Sequence, residues 1–226
     1  MPKDVAAVEA LAEVYENKSL YFSESFDQTI ATYNDALALE PHNATYPLKI
    51  GKIRAMQASS EKDDSAKKKL IVEAKEWLQK AVDEKSDLAE AQYQLGSTKL
   101  LLGETTDAIG SLQKAIAVDN TKADYFLALA GAYQNRGAEG DYDAAESIYK
   151  NIISVLGDDS NTNLSLGLLY EKMKRFDDAA EQYRKVSDLL GSQDFGAKNQ
   201  IQKMIDNAKR GVENTPENLK DSTIEN

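Results

Sequence analysis

The apolar residues of this 226-residue chain fall into a pattern that returns along its length. It is clearest at Leu95-Gly96, a large apolar residue followed by a small one. The same pairing returns at Leu129-Ala130 and Leu166-Gly167, about 34 and 37 residues apart, and stands earlier at Ile50-Gly51. Each pair is accompanied downstream by a second landmark, a small residue, a large one four later and a small or aliphatic one three after that. These are Ala74-Leu78-Ala81, Ala108-Leu112-Ala115, Ala145-Tyr149-Ile152 and Ala179-Tyr183-Val186, with a weaker first copy in Thr29-Tyr33-Ala36 ahead of Pro41. Steps of four and three keep all members on one side of a helix. The pattern therefore predicts two helices per copy. Helix A carries the small residue, which lets helix B approach closely, and the large residue of helix B fills the space beside it. One such hairpin cannot bury both of its faces, so copies must stack.

The polar positions punctuate the same units. Leu102-Gly103-Glu104 and Gly140-Asp141-Tyr142 fall between A and B helices, where glycine supplies a left-handed helix end, and Lys174-Arg175-Phe176-Asp177 fills that slot without glycine. Pro41-His42-Asn43, Asn120-Thr121 and Asp159-Ser160-Asn161 supply helix N-caps between copies. The copies run approximately over 5–43, 44–88, 89–122, 123–159 and 160–193. The second has an insertion of about 11 residues from Ser59 to Lys69; Ser59 to Ser65 reads as loop, and Lys67 to Lys69 extend helix B backward. The fourth has about three extra residues near Arg136 to Glu139. Beyond the fifth, Ala197, Ile201, Met204, Ile205 and Ala208 predict a capping helix over 195–212, which closes a stacked domain spanning 1–213. Residues 214–226 read as a polar tail.

On these residues the chain resembles the tetratricopeptide-repeat family. Leu95, Gly96, Ala108, Leu112 and Ala115 carry the signature most clearly. Gly140, Asp141, Tyr142, Ala145 and Tyr149 carry its second-helix half, and Leu166, Gly167, Tyr170, Ala179 and Tyr183 repeat most of it. The likeness covers about Ala10 to Gln193, although the family's tryptophan position is unfilled in every copy, Phe126 being the nearest substitute. The resemblance implies an all-α fold, a right-handed αα superhelix of about five hairpins with a C-terminal cap. It also implies a groove, lined by A helices, that receives an extended or helical segment of a partner protein. By phase with Leu95, the groove slots are Leu48, Lys52, Tyr93, Ser97, Leu127, Gly131, Gln134, Leu164, Leu168 and Lys172. The lysine and asparagine with which some co-chaperones of the family clamp a terminal carboxylate are missing from these slots, so chaperone-tail binding is not carried over. The apolar slots favour a partner with aliphatic or aromatic anchors. They read equally well as packing between neighbouring A helices.

Composition narrows the function further. The formal charge of −11 opposes phosphate backbones and anionic surfaces, which argues against a nucleic-acid partner. The chain has no cysteine, which removes disulfides, thiolate metal sites and cysteine nucleophiles but leaves the compartment open. Met1-Pro2-Lys3-Asp4 does not open a signal peptide, and no stretch reaches the ~20 apolar residues of a membrane span. His42, the one histidine, sits in a turn. Asp159-Ser160-Asn161-Thr162-Asn163 imitates the start of a calcium loop, but Leu164 stands where that loop needs glycine and Tyr170 where it needs glutamate. No cofactor, metal or catalytic site is expected. The expectation is a non-catalytic scaffold that binds a protein or peptide. The alternatives are a TPR domain of a larger bacterial membrane or envelope protein, such as a glycan polymerase or secretion component, or a self-associating module that uses Val5, Val8, Leu11, Val14 and Tyr15.

Overall fold

The computed structural model describes residues 4–219, and among them the chain is all helix with no strand. Met1–Lys3 and residues 220–226, which include most of the expected tail, lie outside the described residues. The chain divides into two compact units, one ending at Tyr125 and the other starting at Phe126.

The first unit contains α1 (Val5–Ser19), α2 (Phe26–Leu39), α3 (Thr45–Ser60), α4 (Asp64–Glu84), α5 (Ala89–Leu101) and α6 (Thr105–Val118), and it takes in the start of α7 (Ala123–Arg136). Consecutive helices pair as hairpins, α1 with α2, α3 with α4 and α5 with α6. Phe26, Ile30, Tyr33, Tyr46, Ile50 and Ile53 close one core cluster, and Leu48, Leu78, Ala81, Val82, Ala91 and Leu95 a second. The small A-helix residues do what the pattern predicts. A Cβ on Gly51 would lie 2.6 Å from Leu78 Cγ, and one on Gly96 would lie 2.8 Å from Leu112 Cγ. Both leucines are fully buried, so neither can yield without opening a void.

The second unit holds the rest of α7, then α8 (Asp141–Leu156), α9 (Ser160–Lys172), α10 (Phe176–Leu189), α11 (Phe195–Lys209) and the single turn α12 (Pro216–Leu219). Its core joins Tyr149 of α8, Leu166, Leu169 and Tyr170 of α9, Ala179 and Tyr183 of α10, and Ile201, Met204 and Ile205 of α11. Here the close approach is tightest, because a Cβ on Gly167 would lie 2.5 Å from Tyr183 Cε1. Asp159 caps α9, its carboxylate accepting from the Asn161 and Thr162 backbone N–H groups at 2.9 and 3.0 Å.

Two local expectations are corrected. The insertion is not mainly loop. α3 continues through Ser60 and α4 starts at Asp64, capped by the Asp63 carboxylate on Ala66 N at 2.8 Å, so the inserted residues lengthen both helices. Gly140 does not end α7. The left-handed residue after that helix is Gly137 (φ 62°), and Gly140 (φ 79°) is the N-cap of α8. The three extra residues form a tight loop held by Asp141, which accepts two hydrogen bonds from the Arg136 guanidinium at 2.8 and 2.7 Å and one from Ala138 N at 2.9 Å. That pairing holds the nearly buried Asp141 carboxyl below the usual aspartate range. At the equivalent slot before α10, Lys174 adopts φ 61°, the one non-glycine residue with positive φ among those described.

Candidate functional site

The expected groove slots divide between the units, and each group is distinct. In the first unit Leu48 is 8 % exposed and belongs to the core, so at this slot the packing alternative holds. Lys52, Tyr93 and Ser97 are half-buried. Lys52 meets a residue the slots did not include, Glu90 in the first turn of α5. Its carboxylate accepts from Lys52 Nζ at 2.9 Å, from Gln94 Nε2 at 2.9 Å and from Tyr125 Oη at 3.3 Å. Tyr93 stacks on Tyr125 with ring centroids 4.7 Å apart. One turn of helix separates Glu90 from Gln94, an i, i+4 spacing that was legible in the sequence.

The electrostatics follow from this crowding. Burial works to raise the Glu90 carboxyl, but hydrogen bonds from Gln94 and Lys52, with the lysine charge, outweigh it and hold it below the ordinary value. Burial and then the Glu90 charge push the Tyr125 phenol up to about 12, and burial also raises Tyr93. The cluster is an ionised glutamate among neutral tyrosines. A second ion pair on the same unit, Lys49 Nζ to Glu16 at 3.0 Å, joins α3 to α1.

In the second unit Leu127, Gly131, Gln134, Leu164 and Leu168 are half-buried and Lys172 is exposed. Lys172 Nζ donates to the Gln134 carbonyl at 3.4 Å, and the Gln134 side chain accepts from Tyr149 Oη at 3.3 Å. Leu127 packs against the core. Leu164 and Leu168 line an open cavity of about 660 Å³. Its other walls include Val186 of α10 and Leu190 just after it, Ala197, Ile201 and Met204 of α11, and Asn214, Pro216 and Leu219 from the segment after α11. Such a volume lies in the range of sites that take organic groups or several side chains.

The segment after α11 is fastened beside that cavity. Glu171, only 3 % exposed at the end of α9, accepts from the Asn214 backbone N–H at 2.9 Å and from its side-chain amide. Asn214 also donates to the Met204 carbonyl at 3.1 Å and accepts from Asn207 Nδ2 at 2.9 Å. Burial, then the Glu171 charge, raises the neighbouring Tyr183 phenol. No periodic signal marks Glu171 or Asn214, because their partnership spans 43 residues.

His42 is an exposed turn residue 3.1 Å from a Glu84 oxygen. Among the described residues no group of three or more histidine or acidic side chains is placed to hold a metal ion, and no helix is long and apolar enough to cross a membrane. Asp159, the first residue of the calcium-like run, is engaged in its helix cap.

Comparisons with known proteins agree with the repeat pattern. Tetratricopeptide-repeat family models match residues 90–118 and 160–189. No curated protein matches the chain. Among solved structures, one of MamA is 31 % identical over 74 % of this chain and 89 % of its own, with a TM-score of 0.62. Another MamA structure is 28 % identical over 83 % of this chain and 92 % of its own, with a TM-score of 0.68. YrrB, described as a TPR protein with an unusual peptide-binding site, shares the fold at 19 % identity, covering 87 % of this chain and 92 % of its own with a TM-score of 0.65.

Proposed function

The chain belongs to the tetratricopeptide-repeat family, and from that premise we propose that it is a non-catalytic scaffold whose A-helix faces hold a segment of a partner protein. Repeats of this family bind protein or peptide partners and are generally not enzymes. One observation supports the placement of binding on the A helices. The half-buried slots, Lys52, Tyr93 and Ser97 in one unit and Leu164 and Leu168 in the other, keep surface beyond what the hairpin cores use. A half-buried aromatic stack and an open apolar cavity are the surface types that supply anchor sites at interfaces. The proposed contacts are Lys52, Tyr93 and Ser97 on the first unit, with Leu48 in its core, and Leu127, Gln134, Leu164, Leu168 and Lys172 on the second.

The test is affinity capture with the intact chain and with a chain carrying Tyr93→Ala and Lys172→Glu. The proposal expects partners recovered with the first to be lost or strongly reduced with the second. Equal recovery of every partner would remove the A-helix faces from the reading.

A second reading, self-association, is favoured by one patch. Leu11, Val14, Leu20, Tyr21 and Phe22 are 47 to 81 % exposed on and just after α1. Single exposed leucines are ordinary, but five large apolar residues exposed between Leu11 and Phe22 are not. Light scattering over a concentration series decides it; a monomer at high micromolar concentration ends the idea.

A further inference from the structure

The apolar cavity of the second unit is already bordered by the chain itself. After α11 the backbone turns at Gly211 (φ 68°) and runs back past the end of α9. Glu171 meets Asn214 there with both carboxylate oxygens, one taking the backbone N–H and the other the side-chain amide. Five residues on, Leu219 packs against the core cluster and lines the cavity beside Leu164 and Leu168. This is how a groove reads a peptide: a polar residue is recognised through main chain and side chain together, and an aliphatic anchor follows at fixed spacing.

Glu213 pairs with Lys174 and Asn214 is firmly held, but beyond Asn214 the attachment is slight. The α12 turn is four residues long, Pro216 is exposed, and Leu219 is half-buried. The cavity keeps about 660 Å³ of open volume with Leu219 on its wall, so the segment borders the site without filling it.

We propose that Glu213–Leu219 is a displaceable strap, and that the groove it borders takes a partner segment of the same chemistry, an asparagine followed five residues later by an aliphatic side chain. The inference deepens the scaffold reading and rests on it. The strap and the partner compete for Glu171 and for the Leu164–Leu168 wall. Partner affinity is then reduced by the fraction of molecules in which the strap is closed.

The probe is a fluorescently labelled peptide with the sequence of residues 212–219, followed by anisotropy against full-length chains. The wild type is compared with a chain carrying Asn214→Ala and Leu219→Ser, which loosens its own strap. The loosened chain is expected to bind the peptide at least tenfold more tightly than the wild type. Adding Leu168→Asp is expected to abolish that binding. A peptide with alanine in place of its first asparagine is expected to bind at least tenfold more weakly, and this arm leaves the protein untouched. Circular dichroism confirms that each chain keeps its helices, and Leu219→Ser alone serves if the double substitution does not. Equal affinity for wild type and loosened chain would overturn the strap. Absence of peptide binding to a folded, loosened chain would overturn the groove chemistry. Because the probe is the chain's own segment, such a failure with partner capture intact overturns this proposal and leaves the scaffold reading standing. Peptide binding without any partner capture counts against the scaffold.

Discussion

The A-helix faces of the two units use equivalent positions of one repeat and finish differently. In the first unit the polar atoms satisfy one another: Lys52, Gln94 and Tyr125 all donate to Glu90, and Tyr93 is stacked on Tyr125. In the second, Leu164 and Leu168 look into an open apolar cavity beside a folded-back stretch of the chain. The hairpin interiors do not share this divergence. Gly96 against Leu112 and Gly167 against Tyr183 are one solution repeated. The repeat constrains where helices meet and leaves the outward A positions free to vary, which is how a common frame acquires different binding chemistry.

The largest effect should come from breaking the shared interior. Gly167→Val places carbon against the Tyr183 ring, and we expect a loss of about 3 kcal/mol in urea unfolding of the second unit. The contrasting change is Gly131→Ala on α7, where an added Cβ meets nothing within 4 Å. There the better helix propensity of alanine should leave stability unchanged or raise it by up to about 1 kcal/mol. Similar losses from both would mean that close approach is not what the small residues are for.

The next effect sharpens the polar side of the comparison. The folded-state pKa of Tyr125, at about 12, lies above its ordinary value of 10.0. Folding therefore favours the neutral phenol. That contribution is fully present below pH 10 and is lost as the pH climbs from 10 through 12. We expect the first unit to unfold more readily across that window and Tyr125→Phe to lessen the dependence without removing it, since Tyr33, Tyr46 and Tyr93 are raised as well, as read by far-ultraviolet circular dichroism. At the acid end the sign reverses. Glu90, held below its ordinary value, adds stability that is present near neutrality and disappears as the pH falls through its lowered pKa.

The smallest effect is on the ion pair itself. Lys52 and Glu90 are 41 and 36 % exposed, so solvent screens them. Lys52→Ala should cost no more than about 0.5 kcal/mol in chemical denaturation. A much larger loss would make the cluster a structural clamp and weaken its reading as a contact surface.

Most of the fold was legible because it is periodic. Ala74, Ala108 and Ala179 are all fully buried, and the small residues at 51, 96 and 167 meet the large residues anticipated for them. The misread details are those that periodicity does not govern. Ser59 to Ser65 is polar enough for a loop, yet most of it continues a helix, because a solvent-facing helix tolerates polar residues and Asp63 gives α4 a cap. Leu48 occupies a groove phase but is drawn into the core by Leu78 and Leu95. At the candidate sites, phase with Leu95 is what selects Lys52 and Tyr93 as proposed contacts, and Glu90, which Lys52 meets, was within reach of an i, i+4 argument. Glu171 and Asn214 were not, since only the folded chain brings them together.

The scaffold reading depends above all on where a bound partner touches the chain. Photo-crosslinking residues placed singly at Ser97, at Leu168 and at the exposed B-helix position Lys114 would report it. The account predicts partner crosslinks from Ser97 or Leu168 and none from Lys114. Crosslinks from Lys114, with none from either A-helix position, would contradict it.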